Sequence, residues 1–197
     1  MIILGLTGSI GMGKTTVAKM FAEAGAPAFD SDAAVHQLYA PGGAAVTAVE
    51  QEFPGVTKNG GIDRVLLSQR VINDPKALKR LEQVVHPFVR QAQVDFAEAE
   101  RAAGAKVVVF DIPLLLETSG GDLVDRIVVV SAPHHVQRGR VLARAGMTDE
   151  KFTQLMARQM PDAEKRKRAD FVIDTGGSLD QTRTQVRAVL DALGEQD

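Results

Sequence analysis

The chain has 197 residues, enough for one domain with inserted segments, and its 45% hydrophobic and 24% charged residues are typical of a soluble globular protein. The net charge of −2 provides no overall field that would favour nucleic acid or an anionic membrane surface. The absence of cysteine excludes disulfides, thiol catalysis and cysteine-based zinc sites.

Location and partners are constrained by what the sequence lacks. No apolar run reaches the length of a transmembrane helix, and the first residues have neither the basic start nor the cleavage site of a secretory signal. We therefore expect a cytoplasmic protein that binds neither nucleic acid nor membrane. A monomer is the expected oligomeric state.

A phosphate-binding motif opens the chain. Residues 2–6 form an apolar run that predicts a buried parallel strand, and residues 16–24 have a helical pattern. Between them, residues 8–15 read G-S-I-G-M-G-K-T, which is the G-x-x-x-x-G-K-[ST] phosphate loop. A chance glycine-rich turn is the alternative, but strand, loop and helix follow in the order that the motif requires. The sequence therefore predicts a nucleotide site.

The residue types of this phosphate loop suit its chemistry. Gly8, Gly11 and Gly13 allow positive φ angles, so that successive backbone N–H groups converge on phosphate oxygens. The Lys14 ammonium is expected on the β- and γ-phosphates, and the Thr15 hydroxyl is expected to ligate Mg²⁺. The start of the helix adds its dipole and free N–H groups.

Two carboxylates follow the predicted second strand, residues 27–29. Asp30, Ser31 and Asp32 come directly after this strand and before a helix. The carboxyl end of a strand beside a phosphate loop is where open α/β sheets bind ligands, so Asp32 is a candidate catalytic or substrate-binding residue. The alternative is structural: Asp30 or Ser31 caps the helix and Asp32 complements the helix dipole.

Residues 41–103 are predicted to be a helical insertion of the size used to hold a second substrate. No strand pattern occurs there; helices are predicted at 44–53, after Asp63, from Pro75 to 86 and at 88–103. His86 precedes Pro87, which disfavours helical backbone at His86. A break at this point could aim the imidazole into a cleft, although a purely structural histidine is the alternative.

A candidate metal ligand follows the next predicted strand. Residues 106–110 are apolar from Val107 on and are closed by Asp111, the form of a Walker B strand whose carboxylate holds Mg²⁺ through water. An aspartate at a strand end is also common without a metal, so both interpretations stay open. Residues 112–117 follow, and their leucines are expected to pack beneath the site.

A lid is predicted beyond the strand at 126–130. Gln137, Arg140 and Arg144 are spaced by three and four, which places them on one face of a helix. Paired arginines on an exposed helical hairpin would close on the γ-phosphate, and a surface of Arg–Glu pairs is the alternative. The charge run at 164–168 is interpreted as a solvated face.

The last strand is predicted at 171–174, before a helix that begins with the capping box Ser178-x-x-Gln181. Five strands thus alternate with helices along the chain. This alternation predicts an α/β fold with a parallel sheet covered by helices on both faces.

Taken together, these motifs resemble the dephospho-CoA kinase family. The phosphate loop occurs in many families, whereas the D-x-D, H-P and P-L-L-x-E blocks are specific in combination, and all stand in the family's order. The resemblance rests on the phosphate loop, Asp30-Ser31-Asp32, His86-Pro87, residues 113–117, Gln137 with Arg140 and Arg144, and residues 169–174.

The resemblance implies a fold, a domain organisation and a reaction. The fold is a three-layer α/β/α P-loop kinase with a five-stranded parallel sheet. The implied domains are a nucleotide-binding core (1–31, 104–136 and 168–197), a helical acceptor-substrate (CoA) domain (32–103) and a lid (137–167). The reaction is transfer of the ATP γ-phosphate, with Mg²⁺, to the ribose 3′-hydroxyl of dephospho-CoA, the last step of coenzyme A biosynthesis.

The resemblance also implies roles for single residues. The candidate catalytic residues are Asp32, Lys14 and Arg140. The candidate ATP-binding residues are Gly11, Met12, Gly13, Lys14, Thr15, Thr16, Arg144 and Thr175. Substrate contacts are expected from Asp32, His86, Leu114 and Glu117, and metal contacts from Thr15 and, through water, Asp111.

Three positions depart from the family's usual pattern. Met12 stands where a small serine is usual, Thr15 replaces the commoner serine but keeps the hydroxyl, and Thr175 stands where asparagine is usual. Two other interpretations stay open. One is a P-loop kinase for another small hydroxylated metabolite or nucleotide. The other is a GTP-binding switch, since residues 174–177 satisfy D-x-x-G; this motif lies after the final strand, however, and no N-K-x-D occurs.

Overall fold

The computed structural model describes residues 1–117 and 123–194. The chain divides into two compact units. The first, the nucleotide unit, contains residues 1–29 and the described residues from Ala99 onward; the second, the helical unit, contains residues 30–98. The predicted lid at 137–167 falls within the sequence of the nucleotide unit.

The described residues form seven strands and nine helices. The strands are β1 (Ile2–Thr7), β2 (Ala28–Asp30), β3 (Thr57–Lys58), β4 (Gly61–Ile62), β5 (Val107–Asp111), β6 (Arg126–Ser131) and β7 (Phe171–Asp174). The helices are α1 (Lys14–Glu23), α2 (Ser31–Tyr39), α3 (Val46–Glu52), α4 (Arg64–Val71), α5 (Pro75–Ala102), α6 (His134–Leu142), α7 (Asp149–Ala157), α8 (Asp162–Lys167) and α9 (Leu179–Gly194).

Five strands form one sheet in the order β2-β5-β1-β6-β7. β1 lies at its centre and pairs in parallel with β5 on one side and β6 on the other, with Leu4 opposite Val109 and Leu6 opposite Val128. β6 pairs in parallel with β7. The predicted five-stranded parallel sheet with helices is confirmed.

The central strands of the sheet are apolar, and their side chains are buried in the core of the nucleotide unit. Leu4, Leu6 and Val109 have no exposed surface, and Phe21 of α1 and Leu193 of α9 are equally buried in the same core. Each such side chain contributes about 1.5–3 kcal/mol by leaving water. Central parallel strands need apolar residues on both faces, which is why β5 is a continuous apolar run in the sequence.

The helical unit contains a short hairpin that the sequence analysis did not predict. β3 and β4 are antiparallel, and Asn59 and Gly60 between them have φ of 53° and 79°. Two successive positive φ angles are characteristic of a type I′ turn, for which Asn-Gly is the preferred pair. Ile62 of β4 then packs into a core with residues of α2 to α5, so the expectation of no strand in 41–103 is wrong.

The predicted helix break at His86–Pro87 is also wrong. α5 is one helix with Pro87 inside it, and Asp74 caps its start by accepting hydrogen bonds from the N–H groups of Lys76 (2.9 Å) and Ala77 (3.1 Å). Val85 is buried on one side of the proline, and Phe88 packs against the same core on the other side. Burial of this apolar stripe outweighs the local preference of the residue before proline. Within the described residues, no helix is both long and apolar enough to cross a bilayer.

Candidate active site

The glycines of the phosphate loop serve two different purposes. Gly11 and Gly13 have φ of 80° and 88°, as predicted. Gly8 does not have a positive φ, and that prediction is wrong; a Cβ atom at Gly8 would lie 2.7 Å from the carbonyl oxygen of Val130. A Cβ atom at Gly11 would lie 2.5 Å from the Val141 side chain. The loop therefore lies against β6 and α6 with no space for side chains at these two positions.

The start of α1 is suited to bind an anion. The helix begins at Lys14, and no side chain caps it. The backbone N–H groups of Gly13, Lys14 and Thr15 donate to no partner among the described residues. Free N–H groups together with the positive end of the helix dipole form the usual phosphate site at a helix N-terminus.

Two glutamines hold the Ile10 peptide within the phosphate loop. The Gln159 side-chain oxygen accepts a hydrogen bond from the Ile10 N–H at 3.1 Å. The Gln137 Nε2 donates to the Ile10 carbonyl oxygen at 2.8 Å, and Gln137 is only 1% exposed. Both backbone polar groups of one loop residue, Ile10, are therefore fixed by residues outside the loop.

Lys14 forms an ion pair with Asp111 at the end of β5. The register of the sheet explains the contact, because Asp111 lies opposite Leu6 of β1, just before the phosphate loop begins. The Lys14 and Asp111 side chains are 16% and 9% exposed. The lysine required at this position by the phosphate-loop motif is thus restrained next to the strand-end carboxylate.

Thr175 links the phosphate loop to the predicted lid arginine. Its hydroxyl donates to the Met12 carbonyl oxygen at 2.7 Å and accepts from the Arg140 Nη1 at 2.9 Å. The Arg140 Nη2 donates to the Thr175 carbonyl oxygen at 2.6 Å. The Met12 side chain is buried in the core, so Met12 contributes to the site through its backbone carbonyl and not through its side chain.

A cavity of about 290 Å³ adjoins this arrangement. It brings together six of the predicted ATP-binding or catalytic residues. Its wall includes Gly11, Gly13, Thr16, Arg140, Arg144, Thr175, Gly177, Leu179 and Thr182.

Arg144 is not on one helical face with Gln137 and Arg140, and that prediction is wrong. α6 ends at Leu142, and Arg144 lies in the turn that follows. Glycine at 146 allows this turn, because its φ is 74°. Arg140 is thus held by Thr175, whereas Arg144 is exposed at the cavity wall.

The charge run at 164–168 is not uniformly solvated, contrary to expectation. Lys165 has no exposed side-chain surface, and its Nζ lies 2.7 Å from the Glu117 Oε1. The same Oε1 accepts a hydrogen bond from the Met160 N–H at 2.9 Å. Glu117, a predicted substrate contact, therefore lies in an internal ion pair. Leu115 is buried, but the predicted substrate contact Leu114 is 42% exposed.

The helical unit contains the other predicted site residues. Asp30 is the cap of α2, because its Oδ1 accepts from the Ala33 N–H at 3.0 Å. Asp32 lies in the first turn of the same helix, is exposed and has no ion pair within residues 30–98. His86 is exposed on α5 rather than at a break. Of the two residues weighed as the cap, Asp30 is the one that caps the helix, and Asp32 lies in the first turn, where its charge complements the helix dipole.

Sequence reasoning missed Gln159 and Lys165. Gln159 belongs to no motif, and Lys165 lies among charged residues that cannot be told apart by pattern. Their partners, Ile10 and Glu117, are distant in the sequence. No local signal identifies either contact.

Fold and site define the class of protein. The chain combines a parallel sheet and a phosphate loop with a restrained lysine, and an arginine lines the cavity beside that loop. These are the parts of a P-loop phosphotransferase. Residues 2–181 match the sequence profile of the dephospho-CoA kinase family. The chain belongs to this family, which confirms the resemblance seen in the motifs.

A curated relative agrees with this assignment, and solved structures share the fold. The chain is 56% identical over 192 residues to the dephospho-CoA kinase of Rhodopseudomonas palustris (strain HaA2), covering 98% of this chain and 96% of the relative. A crystal structure of a Thermus thermophilus protein is 37% identical with a TM-score of 0.80, covering 98% of this chain and 97% of that one. The structure of dephospho-CoA kinase from Campylobacter jejuni is 23% identical with a TM-score of 0.66, covering 97% and 96%, and supports the fold alone.

The family assignment makes this chain an ATP-dependent kinase. It removes the GTP-binding switch as an interpretation. The predicted P-loop kinase fold is likewise confirmed.

Proposed function

We propose that this protein transfers the γ-phosphate of ATP to the ribose 3′-hydroxyl of dephospho-CoA, giving coenzyme A and ADP. This is the last step of coenzyme A biosynthesis. The observation that carries the proposal is the family match over residues 2–181, which includes the phosphate loop and every other motif of the resemblance.

The phosphate loop would bind the ATP phosphates. The uncapped N-terminus of α1 offers N–H groups to phosphate oxygens, and the Lys14 ammonium supplies charge to the β- and γ-phosphates. Gln137 and Gln159 keep the Ile10 peptide in place, and Thr175 does the same for the Met12 carbonyl. A loop fixed before the nucleotide arrives loses less conformational entropy on binding.

Mg²⁺ is the expected cofactor, and the residues present fit it. The exposed Thr15 hydroxyl and the Asp111 carboxylate are oxygen ligands of the type that Mg²⁺ prefers. Among the described residues, no group of three or more His, Asp and Glu side chains could hold a metal ion. Phosphate oxygens and water would therefore complete the coordination. When bound, the ion neutralises charge on the β- and γ-phosphates.

Asp32 would orient the 3′-hydroxyl and accept its proton. A ribose hydroxyl is a poor nucleophile, so a carboxylate that aligns it lowers the barrier. Asp30 already caps α2, which leaves the exposed Asp32 carboxylate available for this purpose. His86 and Leu114 are proposed as further substrate contacts. Glu117 would act by fixing the segment around Met160, because its Oε1 holds both Lys165 and the Met160 N–H.

The two arginines would act differently. Arg140 is held against Thr175 beside the phosphate loop, so its guanidinium is placed before ATP binds. Arg144 is exposed and lies outside the helix, so it is free to move toward the γ-phosphate when a lid formed by residues 137–167 closes. Positive charge at the transferring group stabilises the transition state.

An ADP-release assay over a panel of hydroxylated acceptors tests the proposal. Dephospho-CoA should give the highest kcat/KM, and the product should carry the new phosphate at the 3′-position. A panel member such as a nucleoside or another small alcohol that exceeded dephospho-CoA would instead support the alternative, a P-loop kinase for a different metabolite.

We also propose a cytoplasmic monomer that binds neither nucleic acid nor membrane. The net charge of −2 supports the lack of nucleic-acid binding. Light scattering of the purified protein tests the oligomeric state, and sedimentation with anionic vesicles tests membrane binding. A concentration-independent dimer mass or co-sedimentation would contradict the respective part.

A further inference from the structure

The helical unit has a cavity of its own, of about 320 Å³. Its wall is formed by the end of α2, the β3–β4 hairpin and the start of α4. Two cationic side chains and one imidazole line it, namely Lys58, Arg64 and His36.

Arg64 and His36 contact each other directly. The Arg64 Nη1 lies 2.6 Å from the His36 Nε2 and 3.1 Å from its Nδ1. A guanidinium has only donors, so the imidazole nitrogen accepts in this contact. The contact leaves the arginine charge uncompensated, because neither Arg64 nor Lys58 forms an ion pair with a carboxylate within residues 30–98.

The carboxylate in the cavity wall is already engaged. Asp63 caps α4, and its Oδ1 accepts from the N–H groups of Val65 (2.9 Å) and Leu66 (3.2 Å). Burial raises the pKa of the Tyr39 hydroxyl, and the nearby Arg64 charge opposes that shift. Tyr39 therefore lines the cavity as a neutral hydrogen-bond donor beside an arginine.

The wall of the cavity is rigidly built. Gly61 lies so close to the end of α2 that a Cβ atom would be 2.9 Å from the Tyr39 carbonyl oxygen. The Gly42 N–H donates to the Gly60 carbonyl oxygen at 3.2 Å. Lys58 at the hairpin and Arg64 after it are therefore presented from a fixed backbone.

We propose that this cavity binds the 5′-diphosphate of the acceptor, with Arg64 as its principal contact. The proposal rests on the proposed function, in which Asp32 holds the 3′-hydroxyl. Asp32 and His36 are four residues apart on α2, so they lie on one face, about 6 Å apart along the helix axis. The 3′-hydroxyl and 5′-phosphate of one ribose are separated by a comparable span. One face of α2 can therefore recognise both ends of the same sugar.

The chemistry of the cavity suits a diphosphate better than a neutral group. A guanidinium can donate two parallel hydrogen bonds to phosphate oxygens, and a lysine adds a point charge. Because of these contacts, the enzyme would bind an acceptor with a 5′-diphosphate more tightly than a plain nucleoside. Specificity of this kind arises from a charge that is left unpaired when the wrong acceptor binds.

Equilibrium titrations of wild type, Arg64→Gln and Arg70→Gln test the proposal. Arg70 is the matched control, because it is an exposed arginine on the same helix, α4, outside the cavity. Dephospho-CoA and inorganic pyrophosphate are titrated separately, with a non-hydrolysable ATP analogue occupying the phosphate loop. Pyrophosphate is the probe for the diphosphate alone.

Arg64→Gln should weaken binding of both ligands roughly 10- to 100-fold, as expected for loss of hydrogen bonds to a charged group. Lys58→Gln should weaken both by a smaller factor. Arg70→Gln should leave both affinities within about twofold, and affinity for the ATP analogue should not change in any variant. Melting curves establish that each variant is folded.

The proposal is overturned if wild type does not bind pyrophosphate under these conditions, or if Arg64→Gln weakens dephospho-CoA but not pyrophosphate. An equal loss in Arg70→Gln would also overturn it, because general surface charge would then explain the effect. If wild type phosphorylates dephospho-CoA and Arg64→Gln does so equally well, the role of the cavity is refuted while the proposed function stands. A wild-type enzyme without that activity refutes the proposed function.

Discussion

Replacing Gln137 and Gln159 singly by glutamate should separate the two hydrogen bonds that hold the Ile10 peptide. Gln137 donates to the Ile10 carbonyl, and glutamate has no N–H to replace that donor. Gln159 accepts from the Ile10 N–H through its side-chain oxygen, and glutamate keeps an acceptor at this position. Two chemically identical substitutions should therefore have unequal effects on the phosphate loop.

The size of the effect follows from the burial of Gln137, which is 1% exposed. In Gln137→Glu the Ile10 carbonyl loses its partner, which costs about 1–3 kcal/mol, and the carboxylate placed against that carbonyl at a buried site adds to this cost. Where that cost falls on the loop conformation that binds the triphosphate, kcat/KM for ATP decreases roughly 5- to 150-fold, since 1.4 kcal/mol is a factor of ten. Gln159→Glu should stay within a factor of about 3, because its acceptor is retained.

Initial rates of ADP release, measured against ATP concentration at saturating dephospho-CoA, provide the comparison. Urea unfolding of both variants serves as the control for global stability. The reasoning is refuted if the two variants have the same kcat/KM for ATP, or if Gln159→Glu is the more impaired. Changes confined to the free energy of unfolding would show that the glutamines support the fold and not the nucleotide site.

Three further outcomes are expected. Lys14→Ala should lower kcat at least about 100-fold, because charge on the β- and γ-phosphates loses its counterpart; activity within about threefold of wild type would exclude a catalytic loop. Arg140→Ala and Arg144→Ala should each lower kcat more than they weaken ATP binding measured by titration, and a change in KM alone would mark either residue as a simple binding group. Asp32→Asn should lower kcat roughly 10²–10⁴-fold with little change in ATP affinity, whereas Asp30→Asn keeps the helix cap and should stay close to wild type. A lowered melting temperature with preserved kcat in Asp32→Asn would contradict the role given to that carboxylate.

Local signals predicted the core of the fold well. The capping box at Ser178 and Gln181 forms in both directions, with the Ser178 N–H donating to the Gln181 Oε1 at 2.8 Å and the Gln181 N–H to the Ser178 Oγ at 3.2 Å. The phosphate-loop motif likewise predicted the order of β1, loop and α1, since its residues act only in that setting. Such features are encoded within a few consecutive residues.

Predictions failed where a distant contact or a competing local rule decided the structure. Asn59-Gly60 is a hairpin signal, but the strands beside it are two residues each, too short for any alternation to be visible. The rule for residues before proline was applied to His86, while the apolar stripe that continues past Pro87 was given too little weight. The fixed position of the Ile10 peptide depends on side chains more than a hundred residues away.

The buried pair of Glu117 and Lys165 limits how this sequence can change over evolution. Loss of one partner leaves an uncompensated buried charge and costs about 3–5 kcal/mol, a large share of the 5–15 kcal/mol by which a typical domain is stable. Exchange of both for well-packed apolar residues is often neutral or even stabilising. A sequence that changes the two residues one at a time therefore passes through a destabilised intermediate. We expect positions 117 and 165 to change together or to stay unchanged.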